Sequence, residues 1–403
     1  VKNHHHHLAL LAAQLFTLAA HAHSVDGGSA ITTDGLIEHI NENALKTIGS
    51  SSWPAWQGLR LIDTHTRADN DSESVMTLDD GQRIVGRFES SLRELRWRSH
   101  ELGSCAVDLE RVVWIGPPTI ALLAPPTTDR IMLVNGDHID GFLSALEADR
   151  GVAIEIPNPE SPSIRTATWV ELSKVASIQM VPHQTQTPGW RIWLRDGGVV
   201  FVDAWQRLGD QVSLEGTHLP GISSSLSLAW RDIVAVQASN DCIQPLANQA
   251  CVVTEVSDTP RLAPACALIS QGTEPLDLRA IDLHGPGSFT MGVPAGDYNF
   301  QATIETPPQL VGKINCLVTI LDGEREMFKQ HTDSASKPIH IHFHAQGKSL
   351  TVILSESQQG AFGAAIRLQD CCFVATHATA PQPISHPSSA EIEPAASRRQ
   401  GPG

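Results

Sequence analysis

Through the middle of the chain, apolar and polar residues alternate in short runs, and glycine turns punctuate the runs. A period of two places one set of side chains on each face of a strand. "VMTLDDGQRIVGRFES" (Val75–Ser90), "RIMLVNGDHIDGFLSAL" (Arg130–Leu146) and "WRIWLRDGGVVFVDAW" (Trp190–Trp205) each read strand, Asp-Gly or Asn-Gly turn, strand. This is a hairpin signature, because glycine accepts the positive φ that the turn needs. Asp80, Asn135 and Asp196 are therefore turn residues. A closing strand follows each hairpin: "AVDLERVVWIG", "WVELSKVASIQM" and "LAWRDIVAVQA". A fainter copy precedes them, with Asp34-Gly35 and "WQGLRLI" (Trp56–Ile62). The turn glycines at 35, 81, 136 and 197 recur at about 50–60 residues, the scale of a supersecondary repeat. Four or five short strands per repeat predict small barrels of the SH3 or Sm-like kind. Trp169 and Trp230 are expected at equivalent places in their repeats, as packing residues.

The repeats divide into 30–128, which includes the weak first copy, then 129–187 and 188–240. Helical spacing is confined to Leu36–Ile48 and Leu92–Trp97. Residues 241–273, rich in Pro, Ala and Cys, lack a period and read as a linker. Alternation returns over 274–376. Tyr298, Phe300, Ala302 and Ile304 share one parity and should face a core. Turns are expected at Gly296-Asp297, Asp322-Gly323 and Gln346-Gly347, the last making "KPIHIHFHAQGKSLTVILSE" a hairpin. Eight or so strands in roughly 100 residues fit a β-sandwich or jelly roll. Residues 377–403 have the composition of a disordered tail. The fold class expected is all-β.

The C-terminal pattern resembles the NPCBM-type carbohydrate-binding-like modules. The residues that carry the likeness are Val318, Asp322, Gly323 and Phe328, then Pro338, Ile341, Phe343, Gly347, Leu350 and Val352. They are packing and turn positions. The resemblance implies a galactose-binding-like sandwich of a kind found in exported proteins and beside glycoside hydrolases. "GAFGAAIRLQD" has Phe362 where many members carry an Asp-Trp pair. The layout, with glycine-turn repeats ahead of such a module, looks like that of exported proteins of planctomycete-type bacteria.

Charge and composition narrow the function. The 403 residues carry a net charge of −16, so no nucleic-acid partner is expected: a phosphate backbone needs a basic footprint. Lys2, the apolar run Leu8–Ala20 and the small residues Ala20-His21-Ala22 predict a secretory signal peptide over 1–22 and a secreted, periplasmic or cell-surface location. No later run is long enough for a membrane span. Seven cysteines lack any C-x-x-C spacing; a Cys242–Cys251 bridge is the pairing considered. Asp69, Asp71 and Glu73 echo a calcium loop without its Gly and Glu. No G-x-S-x-G, H-E-x-x-H or comparable hydrolase signature occurs, and no enzyme is expected.

His340, His342 and His344 are the sharpest chemical feature. In a strand, alternate residues share a face, so the three imidazoles line one side while Ile339, Ile341 and Phe343 face the core. Two of them could close on zinc or copper, with the further ligands supplied by another strand; a solvated strand face is the plainer reading, and no cofactor is required. The function expected is a non-enzymatic exported binding or adhesion protein recognising a cell-surface glycan. The alternatives are a scaffold contacting another exported protein, and a metal-binding sandwich using His340, His342 and His344.

Overall fold

In the computed structural model, alternation becomes strand throughout. It describes residues 27–32, 37–41, 56–61, 73–90, 95–117, 127–147, 149–158, 161–181, 189–238, 242–255, 265–269, 275–333, 336–355 and 363–376. The segments read as signal peptide (1–22) and tail (377–403), and Asp69 and Asp71, lie outside the described residues.

The first full repeat consists of β4 (Ser74–Leu78), β5 (Arg83–Ser90), β6 (Leu95–Ser99), β7 (Gly103–Ala106) and β8 (Val112–Gly116). It follows a partial one: β1 (Gly27–Thr32), β2 (Ile37–Asn41) and β3 (Trp56–Leu61). The second holds β9 (Asp129–Leu133), β10 (His138–Glu147), β11 (Gly151–Asn158), β12 (Ser161–Val170) and β13 (Val175–Gln179). The third holds β14 (Trp190–Leu194), β15 (Val199–Val202), β16 (Ala204–Leu208), β17 (Gln211–Glu215), β18 (Ser225–Ala229) and β19 (Ile233–Ala238). All three full repeats share one connectivity. Strands follow one another as a meander, and the last returns to pair with the first: β8 with β4, β13 with β9, β19 with β14. In the third, Asp203 interrupts the second strand, so β15 and β16 stand for one bent strand.

The bend has a local cause in the other two. A Cβ on Gly86 would lie 2.2 Å from the Arg98 carbonyl oxygen, and one on Gly141 would lie 2.6 Å from that of Glu155. Each glycine sits five residues after its turn glycine, where the strand leaves its first partner for its second. Ile37–Asn41 and Leu95–Ser99, where helical spacing was read, are strands, because cross-strand pairing overrides a weak periodicity. Trp169 and Trp230 are not equivalent. Trp230 opens the 3-10 turn Trp230–Asp232, whose counterpart is Leu172–Lys174, and Trp169 lies upstream in β12. Trp230 is buried with the Arg207 guanidinium over its ring; Trp169 is half-buried beneath Arg150.

The repeats join edge to edge into one long sheet, through β3–β19, β5–β15 and β8–β13. One apolar cluster runs through it, including Leu59, Met76, Trp97, Ile115, Ile154, Ile178, Trp190 and Val236.

The C-terminal body is two antiparallel sheets face to face. Its strands are β20 (Ile243–Pro245), β21 (Cys251–Glu255), β22 (Cys266–Ile269), β23 (Ala280–His284), β24 (Gly287–Gly292), β25 (Tyr298–Glu305), β26 (Asn315–Asp322), β27 (Arg325–Asp333), β28 (Ile339–Ala345), β29 (Ser349–Ser355) and β30 (Ala365–Ala375). One sheet runs β22-β23-β30-β25-β28, with β20 also on β30; the other runs β21-β24-β29-β26-β27. Phe300 anchors the core, its ring 5.2 Å from Phe343 and 5.3 Å from Phe373. Ala302 and Ile304 are buried with it and Tyr298 is partly so.

Two expectations need correction here. Residues 241–273 are more than a linker: β20, β21 and β22 lie in them and pair with β30, β24 and β23. Irregular composition hid three short edge strands. Nor do β28 and β29 form a hairpin. β28 pairs with β25 and β29 with β24 and β26, so the chain crosses between sheets at Gln346-Gly347. The buried Asp322 holds that crossing, accepting from Gln346 N at 2.7 Å and Gly347 N at 2.8 Å.

The long sheet and the sandwich share an apolar contact. Trp193, Val199, Val234 and Ala235 meet Ile243, Leu276, Leu278, Cys372 and Val374. Arg60 forms a bidentate pair with Asp370, its Nη2 2.9 Å from Oδ2, and Arg191 donates to Asp277 at 2.6 Å. Among the described residues, the non-glycine positive φ values fall at Leu276, Asp277 and Asp370, all at this contact. Such backbone is held only where surrounding interactions over-determine it.

Candidate functional site

The histidine row lies on β28, the edge strand of its sheet. Ile341, Phe343 and Ala345 point into the core, and His340, His342 and His344 are exposed. The strand is set against β25 in the register His340↔Thr303, His342↔Gln301 and His344↔Asn299. The same alternation that buries Phe300, Ala302 and Ile304 therefore turns Asn299, Gln301 and Thr303 to the histidine side. The result is a shelf of three imidazoles backed by two amides and a hydroxyl.

Each imidazole has different neighbours. His340 Nδ1 is 3.0 Å from Thr303 Oγ1. His344 Nδ1 is 3.2 Å from Asn299 Oδ1, and its Nε2 is 3.2 Å from Asp297 Oδ1. Gln301, opposite His342, donates its Nε2 to Cys372 Sγ at 3.1 Å. Burial pushes the Cys372 thiol up to about 12, so it stays protonated beneath the shelf. Cys372 also belongs to the contact with the third repeat. The shelf thus runs from open solvent at β28 to the contact with the third repeat.

The three histidines are brought onto one face but not onto one point. Among the described residues, no group of three or more His, Cys, Asp or Glu side chains is placed to hold a metal ion. The exposed imidazoles offer hydrogen-bond donors and acceptors in a row that hydroxyl-bearing ligands can meet, while Asn299, Gln301 and Thr303 are buried behind them. The core takes Phe289, Phe300, Phe343 and Phe373, and the exposed side of β28 carries imidazoles.

Asn299, Gln301, Thr303 and Asp297 were not singled out from the sequence. The parity that places Tyr298, Phe300, Ala302 and Ile304 inward contained the first three. Their pairing with the histidines needed the β25–β28 register. The cysteine expectation also shifts. Cys251 on β21 exchanges a thiol–thiol hydrogen bond with Cys266 on β22, not with Cys242. Cys242 is buried beside β20.

No family model matches the chain, and no curated protein matches it. Among solved structures, the CBM51-2 and INT domains of Clostridium perfringens ZmpB, in complex with GlcNAc, align over 43% of this chain with 11% identity and a TM-score of 0.27. This chain spans 37% of the length of that structure. The tandem CBM51 modules of the family 98 glycoside hydrolase Sp3GH98 from Streptococcus pneumoniae align over 76% of this chain and 89% of theirs, with 10% identity and a TM-score of 0.25. The CBM51 module of the Clostridium perfringens GH95 enzyme, in complex with methyl-galactose, aligns over 30% of this chain and 88% of its own, with 12% identity and a TM-score of 0.23.

Proposed function

We propose that this is an exported, non-enzymatic binding protein whose C-terminal sandwich recognises a hydroxyl-rich glycan through the β28–β25 shelf. One observation carries the reading: His340, His342 and His344 stand exposed in a row, backed by Asn299, Gln301 and Thr303. Exposed imidazoles at the period-two spacing of one strand face donate and accept, which is what hydroxyls require, and the buried Thr303 and Asn299 behind them hold His340 and His344 in place. The apolar N-terminal run Leu8–Ala20 supports export.

The test is a glycan array probed with the full chain, followed by titration calorimetry on any hit. A triple variant, His340→Ala with His342→Ala and His344→Ala, is expected to lose binding while keeping its far-UV circular dichroism. An array without a hit, or a variant that binds as tightly as the parent, would sink the reading.

A scaffold role is favoured by a separate observation, the edge-to-edge continuity of the repeats. On that reading the long sheet is a stiff spacer that presents the sandwich.

A further inference from the structure

The three joints of the long sheet follow one rule. Each pairs the same strand of two repeats, antiparallel, about a local two-fold axis. β8 meets β13 at Ile115↔Ile178, each the fourth residue of a closing strand. β19 meets β3 in a register centred on Val236↔Leu59, and Val236 is again the fourth residue of its strand. β5 meets β15 at Arg83↔Val199, each the first residue of a second strand and each two residues after its turn glycine. Along the array the joints alternate: closing strands, second strands, closing strands. At the second repeat the series stops with its second strand, β10, unjoined. The residue equivalent to Arg83 and Val199 is His138, two after Gly136.

The backbone at His138 has the polarity of a joint. Leu133 N donates to Asp137 O at 2.8 Å, as Leu78 N does to Gln82 O at 2.9 Å and Leu194 N to Gly198 O at 2.8 Å. In an antiparallel pair, successive residues direct their main-chain groups to alternate sides. Asp137 and Ile139 therefore address β9, while His138 and Asp140 direct N–H and C=O outward, as Arg83 and Val199 do. Among the described residues no strand pairs with this edge of β10 at His138–Gly141. Val199 is 0% exposed at its joint, whereas His138 is exposed. Two apolar side chains flank the open edge, Val134 at 66% exposure and Phe142 at 38%. An exposed edge of this kind is a template for another strand.

We propose that the open edge of β10 binds a second copy of this chain. The pairing is antiparallel and two-fold, with His138 opposite His138 of the partner subunit, repeating the Arg83↔Val199 register. An isologous joint closes on itself, so the product is a dimer. Sedimentation velocity on the full chain over a concentration series is expected to show a dimer whose fraction rises with concentration. His138→Pro removes an outward N–H and keeps the bonds to β9, so it is expected to give monomer. His138→Glu places like charges opposite each other at an exposed position and is expected to raise the dissociation constant about fivefold. It decides the matter if the proline variant fails to match the parent by circular dichroism. A parent that stays monomeric throughout overturns the proposal. So does a dimer that both variants leave intact, or an open-ended series of larger species, which would mean pairing with a different edge.

Discussion

Seven cysteines without motif spacing are separated by their surroundings into two kinds. Burial pushes the Cys105 and Cys316 thiols up to about 11, so both remain neutral packing groups near neutrality. Cys251 is held below the ordinary thiol range because the Cys266 thiol hydrogen-bonds to it, and Cys266 is raised in turn. Reactivity follows thiolate fraction. Brief alkylation of the reduced protein near pH 8 is expected to label Cys251 well before Cys105 or Cys316, as read by peptide mass mapping. Exposure to a disulfide donor is expected to transfer two electrons to the donor and close a Cys251–Cys266 bridge between the two sheets. Equal labelling of all seven thiols would contradict this. No spacing in the sequence distinguishes Cys266 from Cys242 as the partner of Cys251; only the placement of β21 and β22 does.

At the scale of elements, hairpins and crossings look alike in sequence. Asp322-Gly323 is a true hairpin turn between β26 and β27, whereas Gln346-Gly347 carries the chain to the other sheet. Both have the same alternation on either side. The difference lies in Asp322, whose carboxylate takes two main-chain N–H groups at the crossing. Asp322→Ala removes the charged acceptor of two part-buried main-chain N–H groups and is expected to cost about 1–3 kcal/mol in chemical denaturation. Asp322→Asn, which keeps one acceptor, is expected to cost less. Identical losses for both would argue against the carboxylate bonds. Parity was legible for the histidine strand, because Ile341 and Phe343 could only be the buried set. The bend glycines Gly86 and Gly141 also carried a signal: each follows its turn glycine by five residues, a spacing visible in "DGQRIVG" and "NGDHIDG".

For the whole molecule, the contact between long sheet and sandwich is small in residues and rich in constraint. Trp193 is fully buried there, Arg60 and Arg191 each hold a sandwich aspartate, and three non-glycine residues adopt positive φ. Trp193→Ala is expected to cost about 3–5 kcal/mol locally. It is also expected to split one calorimetric unfolding transition into two, since the bodies would no longer unfold together. A single transition shifted as a unit would show that the contact does not couple them.

The all-β character, the repeat with its Asp-Gly and Asn-Gly turns, and the inward and outward faces of "IHIHFHA" were determined by the sequence alone. Each depends on neighbours along the chain, where steric limits on φ and the period-two pleat act directly. Which strands share a sheet, which polar residues stand behind the histidines, which cysteines meet and how repeats join edge to edge were decided by tertiary structure. Those are pairings between residues far apart in sequence, and an alternating strand carries the same pattern whichever partner it takes.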